Sequence, residues 1–131
     1  MSEPQSTDGE SAGQQPLVLV CDDEPHILRL IQVNLERMGY RVATAANGRE
    51  ALQQLRAIKP SMVMLDVMMP YVDGYEVLRW IRGNPKTAKL RVIMLTVRAQ
   101  DGDAARAYDI GADGYLTKPF NPEELRRFLE Q

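Results

Sequence analysis

Five short apolar runs, each followed or preceded by a segment with helical spacing, constrain this chain more than any other feature. They are LVLVC at 17–21, RVATA at 41–45, SMVML at 61–65, RVIML at 91–95 and the shorter DGYLT at 113–117. Runs of this length bounded by turn residues predict strands. Between them, Ile27, Leu28, Ile31 and Leu35 recur at helical spacing, as do Ala51, Leu52, Leu55 and Ile58, then Val77, Leu78 and Ile81. Gly39, Pro60, Gly83-Asn84-Pro85 and Gly111 punctuate the helix ends. Strands alternating with helices imply right-handed crossovers and a parallel sheet covered on both faces. That explains why the strands are apolar throughout instead of alternating.

Near the C-terminus, Asn121-Pro122-Glu123-Glu124 supplies an N-cap, a first-turn proline and acids at the positive end of a helix dipole. Leu125, Phe128 and Leu129 give that helix an inward face. At 131 residues the chain is long enough for one domain that buries about two thirds of the surface its unfolded form exposes. Residues 1–15, MSEPQSTDGESAGQQ, carry no aromatic and almost no aliphatic side chain, so they are expected to form a disordered tail before a domain over 16–131.

Charge narrows the function. Sixteen basic and eighteen acidic residues give a net charge of −2, with no basic patch in the sequence order, so direct binding to nucleic acid is not expected. No leader and no bilayer-spanning apolar run is visible, which argues against membrane association. Cys21 is the single cysteine, so no intrachain disulfide can form, and a reducing, cytoplasmic location follows.

In a doubly wound parallel sheet, ligands bind outside the carboxyl ends of the strands. After the first predicted strand stand Asp22, Asp23 and Glu24; after the third, Asp66; after the fourth, Thr96; after the fifth, Lys118. If those four strands are neighbours, the residues share one rim. Carboxylates gathered there repel unless a cation neutralises them, and a hard divalent ion such as Mg²⁺ suits carboxylates, waters and phosphate oxygens. With the metal present an anionic phosphoryl group can approach another carboxylate, and an aspartate can act as nucleophile to form an acyl phosphate. Lysine suits the remaining negative charge and threonine can donate one hydrogen bond.

DDEP at 22–25, LDVMMPYVDG at 65–74, LTVRA at 95–99 and GADGYLTKPF at 111–120 together resemble the receiver domain of bacterial two-component response regulators, in order and in spacing. The resemblance covers residues 17–131. It implies a flavodoxin-like, doubly wound (βα)5 sandwich with strand order 2-1-3-4-5. It implies that Asp66 is the phosphoacceptor, and that Asp23, Asp66 and the main-chain carbonyl of Met68 hold Mg²⁺, or Mn²⁺ in its place, with Asp22 helping directly or through water. Lys118 would contact the phosphoryl oxygens and the acidic cluster, Thr96 would bring its hydroxyl to the phosphate, and Tyr115 would change rotamer in response. The donor would be a phosphohistidine on a sensor histidine kinase or phosphotransfer protein. The chain would catalyse its own phosphorylation and dephosphorylation as a signalling switch, not as an enzyme acting on other substrates. The readout is expected on the face of the fourth helix, fifth strand and fifth helix, around Tyr108, Tyr115 and residues 121–131. That face would meet a downstream effector domain or target protein, or a second copy in a homodimer. A cis peptide is expected at Lys118-Pro119. Val97 stands where a small residue is usual and would narrow access to the phosphoryl group, Met68 and Arg98 occupy positions that tune its hydrolysis, and a relatively long-lived phosphoform is expected.

Blander and rival readings stand beside these. Asp22, Asp23 and Glu24 can serve as caps of the first helix, Asp66 as a loop residue, Lys118 as a solvated charge, and Thr96 and Tyr115 as an ordinary turn residue and buried aromatic. His26 is expected to be a partly exposed helix residue, since it has no second histidine or thiol with which to form a zinc site. Cys21 reads as a small buried hydrophobe, and Met62, Met64, Met68 and Met69 as sheet core and loop packing. A haloacid-dehalogenase-like phosphohydrolase would want a second acid where this chain has Met68, whose thioether cannot donate a proton. A flavin module would be repelled by the acids. A phosphate-independent interaction module is a further alternative. The chain is expected to be either a stand-alone receiver or a fragment lacking an effector domain.

Overall fold

Strands and helices alternate strictly along the chain: β1 (Leu17–Cys21), α1 (Pro25–Arg37), β2 (Arg41–Ala45), α2 (Gly48–Ala57), β3 (Met62–Asp66), α3 (Gly74–Gly83), β4 (Arg91–Thr96), α4 (Asp103–Ile110), β5 (Gly114–Thr117) and α5 (Pro122–Leu129). The computed structural model describes residues 15–96, 103–118 and 120–130. Almost all of the expected tail lies outside them, as do Val97, Arg98 and the Pro119 of the expected cis peptide. The strands form one parallel sheet in the order β2-β1-β3-β4-β5, the flavodoxin-like arrangement expected. Its register pairs Leu19 with Ala43 on one side and Val63 on the other, Leu65 with Met94, and Thr96 with Thr117.

Each face of the sheet carries its own core, because successive strand residues point to opposite sides. Leu19, Val63, Leu65, Val92 and Met94 pack with Leu55, Leu78, Ile81 and Ala107 beneath α2, α3 and α4. Val18, Val20, Met64, Ile93 and Leu95 pack with Ile31, Leu35, Leu125 and Leu129 beneath α1 and α5. Each fully buried leucine or isoleucine of these clusters contributes roughly 1.5–3 kcal/mol.

Local chemistry sets the helix ends. At the end of α1, Gly39 takes φ 96, the Tyr40 N–H reaches the Leu35 carbonyl and the Gly39 N–H reaches that of Glu36, which satisfies the last carbonyls. α3 and α5 begin with reciprocal caps, Asp73 with Glu76 and Asn121 with Glu124, and Pro122 opens α5 as expected. Arg82, at the end of α3, donates to the carbonyls of Gly111, Ala88 and Leu90 and pairs with Asp113 at 2.8 Å.

Several boundaries differ from expectation. β3 and β4 extend one residue further, so Asp66 and Thr96 are the last ladder residues and not the first loop residues. The ladder reaches them because the Val67 N–H bonds the Leu95 carbonyl and the Lys118 N–H bonds that of Thr96. β5 starts at Gly114, since Asp113 turns its carboxylate to the Val92 N–H and to Arg82. Ile58 ends α2 as an extended cap residue and packs against the core from there.

Candidate functional site

The parallel sheet sends the carboxyl ends of β1, β3, β4 and β5 to one rim, and the order of strands makes them neighbours. Asp22 follows β1 with no exposed surface, and its amide N–H is bonded to the Ala45 carbonyl at 3.1 Å. One carboxylate oxygen accepts from the Glu24 N–H at 2.9 Å; the other accepts from Lys118 Nζ at 2.7 Å. Lys118, after β5, is itself buried, and its ammonium also stands 3.6 Å from Asp66 and 3.8 Å from Glu24. Asp66 closes β3, nearly buried, with one oxygen accepting from the Met68 N–H at 3.3 Å. Carboxylate oxygens of Asp22, Asp23 and Asp66 all lie within 4.8 Å of one another. Asp22 and Asp66 are buried and Asp23 is exposed, so the group has one open side.

Charges this close have consequences. Burial pushes the Asp66 carboxyl up to about 7, and Asp22 beside it pushes the same way; Lys118 and the Met68 N–H oppose this without prevailing. Burial also works against the Lys118 ammonium, but its hydrogen bond to Asp22 and the charges of Asp66, Asp22 and Glu24 outweigh that and hold it above its ordinary value. Lys118 is therefore spent mainly on Asp22, and Asp66 is left without full compensation. All-oxygen donors, an excess of negative charge and one exposed side fit a hard divalent cation.

Two glycines let the surrounding loops approach. A Cβ on Gly74 would lie 2.2 Å from the Asp66 carbonyl oxygen, and one on Gly48 would lie 1.8 Å from that of Val72. The loop between β3 and α3 is thus folded directly onto the acid-bearing strand end, with the Gly74 N–H bonded to the Val67 carbonyl at 2.9 Å.

The other expected residues are placed as follows. Thr96 is buried at the end of β4, opposite Thr117. Tyr115 lies half-buried on β5, against the core beneath α4. Glu24 is the cap residue of α1, but its side chain makes no capping bond, so the acids do not act as ordinary caps. Lys118 is not a solvated charge. Met68 corrects the packing expectation: Met62, Met64 and Met69 are buried, whereas Met68, two residues past the end of β3, is 71% exposed and belongs to neither core. His26 is exposed. Cys21 is fully buried, and burial together with Asp22 pushes its thiol far up. The sequence reading missed Tyr71, Arg49, Gly48 and Gly74. For the glycines the signal was present in NG at 47–48 and DG at 73–74.

The family described as the response regulator receiver domain matches residues 18–130. The chain is 44% identical over 108 residues to the alkaline phosphatase synthesis transcriptional regulatory protein PhoP of Bacillus subtilis, covering 82% of this chain and 44% of that protein. It spans a little under half the length of the curated relatives it matches. Among solved structures, the chemotaxis protein CheY4 of Vibrio cholerae superposes with a TM-score of 0.84 at 34% identity, covering 88% of this chain and 97% of that one. The receiver domain of a sensor histidine kinase from Pseudomonas aeruginosa, described with a magnesium ion coordinated in its active site cleft, gives a TM-score of 0.82 at 31% identity, with 88% and 95% covered.

Proposed function

The chain belongs to the response regulator receiver family, and from that premise we propose that Asp66 is its phosphoacceptor in a Mg²⁺-dependent transfer from a phosphohistidine. It is a signalling receiver of phosphorelays, a switch in a regulatory circuit. The observation that carries the assignment to Asp66 is the division of labour at the rim. Lys118 bonds Asp22 at 2.7 Å and stands back 3.6 Å from Asp66, leaving Asp66 the buried carboxylate with an oxygen to offer.

In the proposed reaction an Asp66 carboxylate oxygen attacks phosphorus, the P–O bond forms, the P–N bond to the donor imidazole breaks, and the leaving imidazole takes a proton. Asp22, Asp23, Asp66 and the Met68 carbonyl are the residues proposed to hold Mg²⁺, and Mn²⁺ is a proposed substitute. When bound, the ion neutralises charge on the transferring phosphoryl oxygens. Lys118, already held at the rim by Asp22, meets a phosphoryl oxygen, and Thr96 donates its hydroxyl to another. The same residues would stabilise attack by water on phosphorus, which breaks the P–O bond and returns Asp66. With the phosphoryl group in place the Asp66 side chain carries about −1.5 to −2 charges where the carboxylate carried one, a net gain of up to about one negative charge. Thr96 and Tyr115 carry that change to the face of α4, β5 and α5, the surface proposed for an effector domain, a target protein or a second copy.

A sensor histidine kinase or phosphotransfer protein is the proposed donor, and the cytoplasm the proposed location. Among the described residues no helix is long and apolar enough to cross a membrane. Residues 16–131 are the proposed receiver unit.

The test is intact-mass measurement after incubation with acetyl phosphate and Mg²⁺, with Asp66→Asn and EDTA controls. One phosphoryl adduct on the parent, absent from both controls, is expected. No adduct on a parent that binds Mg²⁺ would reassign the chain to phosphate-independent interaction.

A further inference from the structure

Tyr71 is the one non-glycine residue with positive φ among the described residues, at φ 71. Bulky side chains are disfavoured in that region. The Val72 N–H donates to the Pro70 carbonyl at 2.9 Å, closing a three-residue turn about Tyr71. Burial does not compensate for this conformation, since Tyr71 is 71% exposed. Its ring is instead covered by the Arg49 guanidinium, 4.5 Å from the centroid.

Arg49 lies in the first turn of α2, directly after Gly48. The Gly48 N–H donates to the same Pro70 carbonyl, at 3.4 Å, and its Cα sits against the Val72 carbonyl. The loop after β2 and the loop after β3 are thereby joined at three neighbouring points. Each loop continues into the acidic site. The Ala45 carbonyl at the end of β2 accepts from the Asp22 N–H, and Gly74 at the far end of the other loop rests on the Asp66 carbonyl. A path therefore runs from Asp22 by a hydrogen bond to Ala45, along the chain to Gly48, by a second hydrogen bond to Pro70, and along the chain back to Asp66.

We propose that the Arg49–Tyr71 stack is a positioning pair, a clamp that holds these two loops together and so keeps the carboxylates of Asp22, Asp23 and Asp66 gathered for a divalent cation. The inference rests on the Mg²⁺ reading given above. Three carboxylates within 4.8 Å repel one another, so without an ion the cluster is pressed to spread. A site held closed in advance loses less ordering entropy when the ion binds. The strained turn at Tyr71 is the local cost of aiming the ring at Arg49.

The test exploits a difference of sign. Deleting the Arg49 charge takes a positive group away from the vicinity of a cation site, so electrostatics alone predicts tighter Mg²⁺ binding. The clamp predicts weaker binding. Titration calorimetry on the full chain at fixed ionic strength should show Arg49→Met and Tyr71→Ala raising the Mg²⁺ dissociation constant about two- to fivefold, the worth of an exposed cation–ring contact. Tyr71→Phe, which keeps the ring face, should match the parent. With acetyl phosphate, the two weakened variants should form adduct more slowly at limiting Mg²⁺ and at the parental rate at saturating Mg²⁺. An Arg49→Met variant that binds Mg²⁺ as tightly as the parent, or more tightly, overturns the clamp and leaves the phosphoacceptor assignment standing. A parent that binds no Mg²⁺ overturns both.

Discussion

Removing the Lys118 ammonium would leave Asp22 fully buried with no cation against its carboxylate, since the pair sits 2.7 Å apart with almost no solvent contact. Breaking a buried pair from one side costs about 3–5 kcal/mol, so Lys118→Met should show a large fall in urea stability, partly recovered by Mg²⁺. The Asp66 carboxyl sets a pH dependence. With its value raised to about 7 from an ordinary carboxylate value, the folded chain keeps a proton that the unfolded chain has already lost. Metal-free stability should therefore fall as pH rises from about 4 through about 7. Urea titrations across that window with EDTA check the slope, and Mg²⁺ should flatten it. Protons compete at the same oxygens, so Mg²⁺ affinity should decline below about pH 7, by up to tenfold per unit. The positions of Asp22, Asp66 and Lys118 at strand ends were legible from the chain alone. Contact of Lys118 with the acidic cluster was expected too, but not its choice of Asp22, because side chains 96 residues apart meet only after the sheet has brought them together.

At the scale of elements, the strands were readable because both faces of the sheet are buried, and a solid apolar run has few other uses in a chain of this length. Their ends were less so. Asp66 and Thr96 read as loop residues because a polar side chain at the edge of a run resembles a turn, while the backbone bonds that include them in the ladder come from neighbouring strands. The turn at Tyr71 carried no signal at all, as tyrosine has no preference for the left-handed region. The loop after β3 is the element most exposed to damage. Gly74→Ala would drive a methyl group to 2.2 Å from the Asp66 carbonyl, so either β3 or α3 must shift. That variant should lose phosphoryl acceptance in the acetyl phosphate assay even where circular dichroism shows the fold retained. Asn121→Ala, by contrast, removes one cap of α5 and should cost about 1 kcal/mol in urea unfolding.

Across the whole molecule, the acids of the site lie at the carboxyl ends of the strands. Asp22, Asp23, Glu24 and Asp66 gather at one end of the sheet, while Arg41 and Arg91 begin strands at the other. Cation binding at the acidic end should stabilise the entire domain, since the site draws on residues from β1, β3 and β5 and their loops. At Mg²⁺ a hundredfold above its dissociation constant the gain is about 2.7 kcal/mol, on the order of 10 °C in melting temperature, and Asp23→Asn should reduce it.

Cys21 lies one residue before this cluster, at the end of the interior strand β1, with no exposed surface and a thiol that burial and Asp22 hold in its protonated form. An alkylating reagent can reach that sulfur only when β1 parts from its neighbours. The chain therefore contains a natural clock for its own opening: the rate at which its single thiol is trapped counts excursions of the central sheet, without any label added.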